Sequence, residues 1–412
     1  MKINYLKELS VQIKALLLTK SLAYTQSAFA QFLINIYFWR ITGSVSFLVL
    51  FNITFEVGHV FASWIAGKIC KEHDRFLPLR VSMILQLLYL AFIIYLKVDV
   101  ANYIIPVAIL GGLAHGAYWF ADDLLKLDLT NPENRLKFVA VHRIIKDGIG
   151  SLIPLVASII VAVQLGTEQA YVSIFILAII FSALVFVSSF FISEKKKFIS
   201  EKFSVIKASG ELFKDQNIRL AFIGNGLSYV SDALPMLLGL LLFIKSGTEL
   251  SLGGYQFITV IIAVVTNYLL GKYFTRKNYR ALLIYGGIID FVLVFILLIS
   301  QSFGAILLYG LLKALFSFMN SPVYPLTIDA FNMHCQNQNE CINKRTEYVF
   351  LQEFFSSLGK VISLIIFLIL SNSLNPWLIG LVVVLFAFGD LISNLVMTRI
   401  KDGKYSTVDV LN

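Results

Sequence analysis

Long apolar runs, each bounded by charged or turn-forming residues, recur along the whole chain. They fall at about 15–38, 45–69, 79–97, 102–126, 138–163, 170–192, 218–244, 252–274, 281–300, 303–330, 347–370 and 376–398. Each is near the roughly 20 mostly apolar residues that cross a bilayer as an α-helix. The pattern therefore predicts an all-α polytopic membrane protein with twelve transmembrane helices. No short apolar segment is followed by a cleavage site, so the first run is expected to be a retained helix. The connections alternate in charge. Arg40, Lys97 and Lys245 are the only basic residues in the odd-numbered loops, and Lys313 lies inside span 10. The other Lys and Arg are assigned to the termini, the even-numbered loops and the helix ends beside them. By the positive-inside rule both termini are cytoplasmic. An even number of spans requires the same.

Composition agrees. Of 412 residues, 58% are hydrophobic and 14% charged, whereas soluble domains sit near 45–50% and ~25%. An ordinary soluble enzyme is excluded, and the short loops leave no room for a large soluble domain. The net charge of +9 reads as membrane orientation rather than as a nucleic-acid surface. Three cysteines, Cys70, Cys335 and Cys341, are too few for a disulfide framework and fall on the cytoplasmic side, where thiols stay reduced.

The chain repeats. Leu22-Ala23-Tyr24 and Ala28, with Arg40, correspond to Leu227-Ser228-Tyr229, Ala233 and Lys245 at a shift of 205 residues. Gly67-Lys68 corresponds to Gly271-Lys272 at 204, and Arg135, Phe138 and Val139 to Arg345, Tyr348 and Val349 at 210. Colinear halves imply parallel repeats with a substrate path between them. The expected division is a six-helix bundle over 1–193, a cytoplasmic linker over 194–217 and a second six-helix bundle over 218–412. Lys195, Lys196 and Lys197 open the linker and read as a solvated run or a lipid-headgroup contact.

Twelve spans, the 6+6 split, the basic central loop and matching basic loops after spans 2 and 8 resemble the major facilitator superfamily. So do Asn35, Trp39, Arg40, Thr42, Gly43 and Ser44 at the end of span 1, Gly116, Tyr118 and Trp119 in span 4, and the Thr130-to-Arg135 string after it. The likeness is to a bacterial subgroup. It implies the fold of two pseudo-symmetric bundles and a transporter, without a substrate. Two features depart from the family pattern. Where its loop 2–3 motif carries Gly and then Asp four residues on, this chain has Gly67 and Lys71, and in the second copy Gly271 and Thr275. In span 5, Pro154 with Ala157 and Ser158 fits the exporters' Gly-Pro string only loosely, because Ile153 replaces the Gly.

An ionisable group within a span costs about 2.5–3.5 kcal/mol on insertion scales, so each needs a partner or a wet cavity. Residues three or four apart share a helix face. Span 2 carries Asn52, Glu56, His59 and Ser63 in one stripe. A carboxylate one turn from an imidazole can exchange a proton near neutral pH, which makes Glu56 and His59 candidates for proton coupling. The alternative is a polar pair that locks helix packing. Asp232 in span 7 is a second coupling candidate, or a packing hydrogen bond, and Pro235 is expected to break that helix. Cavity candidates are Tyr24, Gln31 and Asn35 in span 1, His115, Tyr118, Trp119 and Asp122 in span 4, Asn225 and Tyr229 in span 7, and Lys313 and Asn320 in span 10. Asp122 is placed to pair with Lys126, and Lys313 with a carboxylate or an anionic substrate. Arg143, Lys146 and Asp147 near the cytoplasmic end of span 5 are gate candidates, or snorkelling residues. Glu353, Lys360 and Asp390 receive no role.

Asp122, Asp123 and Asp128 resemble half of a metal–diphosphate site, which would make the chain an intramembrane metal-dependent transferase. The second cluster is missing and the 6+6 repeat argues against it. His334, Cys335 and Cys341 fall short of a zinc set, and no phosphate-cradling Gly-rich Lys loop is present. The expectation is therefore a monomeric, multi-pass cell-membrane transporter, not an enzyme, working without metal, cofactor, ATP or nucleic acid. It is expected to export a small amphipathic or hydrophobic compound in exchange for protons, because the stripes hold few fixed charges and many aromatics. Nutrient uptake and flipping of a lipid-linked glycan are the alternatives.

Overall fold

The computed structural model describes residues 9–130, 132–192, 202–271, 276–334, 338–371 and 375–401. Lys195, Lys196, Lys197, Thr275 and Cys335, and the side chains of Arg143 and Cys341, lie outside the described residues. The first half comprises α1 (Val11–Thr42), α2 (Val45–Glu72), α3 (Leu77–Leu96), α4 (Ile104–Leu129), α5 (Pro132–Val163) and α6 (Glu168–Ser188). A short helix α7 (Val205–Leu212) follows, then α8 (Gln216–Ser228), α9 (Ala233–Ser246), α10 (Glu249–Gly271), α11 (Tyr279–Ile299), α12 (Phe303–Phe316), α13 (Val323–His334), α14 (Gln338–Ser371) and α15 (Pro376–Met397). Among the described residues, ten stretches are long and apolar enough to cross a membrane. The expected spans 79–97 and 102–126 run together within one of them, Leu77–Leu129, and α1 is not among the ten. Lys20, Gln26, Gln31 and Asn35 dilute its apolar character.

The helix ends follow from local chemistry. Gly43, at φ 61°, closes α1, and the Ser44 hydroxyl accepts the Phe47 N–H at 3.2 Å to open α2. Gly247, at φ 70°, closes α9 at the matching place in the second half. Glycine takes this left-handed conformation without steric cost. The break in the seventh expected span falls at a 3-10 turn, Tyr229–Ser231, between α8 and α9. Pro235 has no N–H to donate and its ring crowds the carbonyl four residues back, that of Ser231. A second 3-10 turn, Ser317–Asn320, interrupts the tenth expected span ahead of Pro322.

Within the first half α2 packs on α4, α3 on α4 and α1 on α6. Within the second, α11 packs on α15, α8 on α15 and α14, and α10 on α12. The halves meet along two seams, α2 against α14 and α5 against α10. Small residues set the closest approaches. A Cβ on Gly112 would strike the Phe55 carbonyl, and one on Gly116 the His59 carbonyl. Glycine lets helix backbones touch in this way in a bilayer. Gly253 of α10 similarly meets Ser158 and the carbonyl of Pro154 on α5, so the small residues of span 5 pack a seam.

The described part of the linker and the end of α15 share one end of the bundle. Phe203 N–H donates to Glu72 at 3.4 Å, Lys344 pairs with Glu211 at 3.0 Å, and Lys401 N–H donates to Asn217 at 3.1 Å. This is the linker end. The opposite, far end holds Arg40, Tyr171 and Glu249.

Candidate functional site

Ion pairs bridge the α2–α14 seam along its length. Glu56 accepts from the Ser357 hydroxyl at 2.7 Å and from the Lys360 ammonium at 3.2 Å. One turn on, His59 Nε2 meets Glu353 at 3.0 Å, and its Nδ1 meets Nδ1 of His115 at 2.9 Å. Nearer the linker end Lys71 meets Glu347 at 2.5 Å and the Asn343 carbonyl at 2.8 Å. Arg345 of α14 reaches Asp128 of the first half at 2.8 Å, and Arg75 binds the same carboxylate. At the far end Arg40 donates to Glu249 at 2.7 Å, and the Tyr171 hydroxyl donates to the same oxygen at 2.5 Å. The two halves are thus joined by ion pairs at both ends and in the middle. Partners of this kind are what a charge withdrawn from water requires.

Among the described residues, two cavities between the halves are walled by the expected polar residues, and a third, apolar one of about 550 Å³ lies along α2 and α14 beside Glu56. The linker-side cavity, about 720 Å³, is lined by Tyr24, His59, His115, Trp119, Asn225, Tyr229 and Asn320 of the expected set, with Lys146 and Asp147. His142 Nε2 lies 3.1 Å from the Tyr24 hydroxyl, and Lys146 Nζ is 5.9 Å from the Tyr24 ring. The far-side cavity, about 590 Å³, is lined by Gln31, Asn35, Asp232 and Lys313, with Tyr255 and Tyr309. Lys313 is 3.4 Å from Asp390, which also accepts from Ser231 at 2.7 Å.

Several expectations are corrected. Glu56 and His59 share a helix face, but each turns to its own partner on α14, because the seam offers Lys360 and Glu353 at matching heights. Asp122 does not pair with Lys126. It is buried against Lys20 of α1, 1% and 2% exposed respectively, while Lys126 takes Asp123 at 2.6 Å. A helix surface brings residues three and four apart equally near, and the facing lysine on α1 decides between them. Tyr118, expected on the cavity wall, is buried in the apolar core near the linker end with Phe120 and Leu124. Lys20 and Lys360 sit within helices, not at basic helix ends. The linker-side wall also holds Asp123, Lys126, Lys146, Asp147, Glu353 and Lys360, so the expectation of few fixed charges does not hold there.

The residues sequence reasoning missed, Lys20, Ser357 and the Glu347 partner of Lys71, had one usable signal. Lys71 stands where the family pattern has an acid, which calls for an acidic partner elsewhere. Glu353 and Lys360 were visible as ionisable groups in a span, without a direction.

The family model of the Major Facilitator Superfamily matches residues 16–338. An uncharacterised protein of Bacillus subtilis (strain 168), YqgE, is 24% identical over 339 residues, covering 82% of this chain and 77% of its own. The fold is similar to a crystal structure of the nucleoside transporter NupG, at a TM-score of 0.69 and 12% identity over 95% of this chain and 100% of that one. A bacterial homologue of the iron transporter ferroportin, in its outward-facing state, is similar at a TM-score of 0.69 and 16% identity over 94% and 98%. A family match over most of its length, on a bundle of apolar helices with charged groups paired between two halves, makes this chain a multi-pass membrane protein and a transporter of the Major Facilitator Superfamily.

Proposed function

We propose that the chain is a proton-coupled secondary transporter that exports a small amphipathic solute by alternating access. What carries the reading is the linker-side cavity of about 720 Å³, placed between the halves and walled by aromatic, amide and titratable side chains. By the positive-inside rule the linker end faces the cytoplasm. Breaking Lys71–Glu347 and Arg345–Asp128 would open that cavity inward, past Lys146 and Asp147 on its wall. Breaking Arg40–Glu249 would open the far-side cavity outward. Glu56, His59 and Asp232 are the coupling groups, since each stands beside a cavity or a seam whose ion pairs must part as the halves rock. The aromatics Tyr24, Trp119 and Tyr229 would cover the apolar part of the solute, and the amides Asn225 and Asn320 its polar part.

Uptake of a nutrient is the second reading, favoured by the six Lys, Asp and Glu side chains on the linker-side wall. Profiling released and retained small molecules in a deletion strain separates the two: an accumulated compound names an exporter and a depleted one an importer. With that compound in proteoliposomes, Glu56→Gln is expected to abolish transport driven by a pH gradient. Normal pH-driven transport by both Glu56→Gln and Asp232→Asn would refute proton coupling through these groups.

A further inference from the structure

Four side chains form a hydrogen-bonded row from the linker-side cavity to the α2–α14 seam. Trp119 Nε1 donates to His115 Nε2 at 2.7 Å, the two Nδ1 atoms of His115 and His59 meet at 2.9 Å, and His59 Nε2 meets Glu353 at 3.0 Å. The ends of the row determine every proton in it. An indole N–H only donates and a carboxylate only accepts. His115 must therefore accept at Nε2 and carry its hydrogen on Nδ1. His59 must then accept at Nδ1 and carry its hydrogen on Nε2, aimed at Glu353. Three N–H groups fill three gaps, with both imidazoles neutral.

A fourth proton does not fit. Placed on His59 it sets two N–H groups face to face across the 2.9 Å gap. Placed on His115 it faces the indole N–H instead. One contact must open. The histidine pair cannot easily part, because Gly112 and Gly116 press α4 directly onto the α2 backbone beside His59. Trp119, packed against Tyr24 and Tyr118, is the end of the row that borders the cavity. The pair lies between two carboxylates, Glu56 on its own helix and Glu353 on α14, and one ammonium, Lys360. Across the cavity it faces Tyr229 and His142, and the Asp123–Lys126 pair on α4.

We infer that His59 and His115 form a proton-binding site that competes with the Trp119 indole, so that taking up a proton releases Trp119 into the solute cavity. The step is balanced: one O–H bond of a hydronium ion in the cavity breaks as one N–H bond forms on an imidazole, and the Trp119–His115 hydrogen bond is exchanged for one to water or solute. Linkage makes it reciprocal. A solute that draws Trp119 away from His115 raises the proton affinity of the pair by the same factor. Trp119 thus joins cavity occupancy to proton occupancy. This rests on the proton-coupled reading above, and because proton and solute then bind together it favours the uptake reading over export.

The test uses the proton itself as the probe. The full chain is reconstituted in lipid nanodiscs and its tryptophan fluorescence is followed from about pH 8 to pH 5, the range in which imidazoles titrate. Subtracting the Trp119→Phe trace isolates Trp119 from Trp39, Trp64 and Trp377. An acid transition in that difference is expected, and it should vanish in His115→Gln. Histidine nitrogen NMR of Trp119→Phe should show the pair taking its proton at higher pH, by up to about one unit, a tenfold gain in affinity. The inference is overturned by a flat difference trace, by a transition that survives in His115→Gln, or by an unshifted histidine titration in Trp119→Phe. That last measurement leaves both histidines in place and stands even if His115→Gln fails to fold. A transition in a protein that moves no solute would sink the transport reading alone, while pH-driven transport with a flat trace would sink this inference alone.

Discussion

Lys71 and Glu347 hold the linker end of the α2–α14 seam, and breaking them should shift the balance between conformers. Their side chains are 2% and 3% exposed, at 2.5 Å. Glu347 also accepts the Ser204 N–H at 3.1 Å, and Lys71 donates to the Asn343 carbonyl at 2.8 Å. Lys71→Met leaves the carboxylate in the closed seam with one weak backbone donor. Removing one partner of a buried pair costs about 3–5 kcal/mol while the other stays buried. Opening the seam hydrates Glu347 and removes that cost, so the penalty falls on the closed conformer alone. A shift of about 3 kcal/mol is roughly 150-fold in the closed-to-open ratio, enough to bring an equilibrium that began near 99:1 to about 2:3. Hydrogen–deuterium exchange of the backbone amides in the first turns of α14 reads the open population. Exchange there should rise steeply in Lys71→Met and return toward wild type in the Lys71→Met, Glu347→Met double variant, which buries no unpaired charge. Equal exchange in Lys71→Met and wild type would refute the reasoning. So would a double variant that opens more than either single one.

Two further outcomes follow from the same geometry. Lys20→Met strands Asp122 in the core of the first half and should cost about 3–5 kcal/mol, seen as a large drop in thermal stability in detergent, with most of it recovered in Lys20→Met, Asp122→Leu. Gly112→Ala places a methyl group against the Phe55 carbonyl and should destabilise by about 1–3 kcal/mol. An unchanged melting temperature would mean that α2 and α4 are less closely bound than their backbones indicate.

The class of fold was legible before any coordinates. Apolar runs near 20 residues and a repeat near 205 residues already separate a two-half membrane bundle from a soluble domain. Gly43-Ser44 also announces a helix stop and start, and Pro235 a break nearby. The stripes selected residues that do line cavities, among them Tyr24, His115, Trp119 and Tyr229 on one side and Gln31, Asn35 and Lys313 on the other. Partner choice was less legible. Asp122 had Lys126 one turn away, and only the position of α1 shows that Lys20 is nearer. His59 had Glu56 beside it, yet its carboxylate is Glu353, 294 residues on.

The amino-acid sequence by itself determined the solvent of this protein, the helical form of its long apolar segments and the ionisable groups forced into a nonpolar setting. Each follows from local chemistry: hydration of the backbone, turn geometry and the cost of burying a charge. Tertiary structure alone decided which of those groups meet. Pairings such as Glu56 with Lys360, His59 with Glu353 and Lys71 with Glu347 depend on the register of α2 against α14. That register is set by packing between helices far apart in the chain, and no periodicity within one helix encodes it.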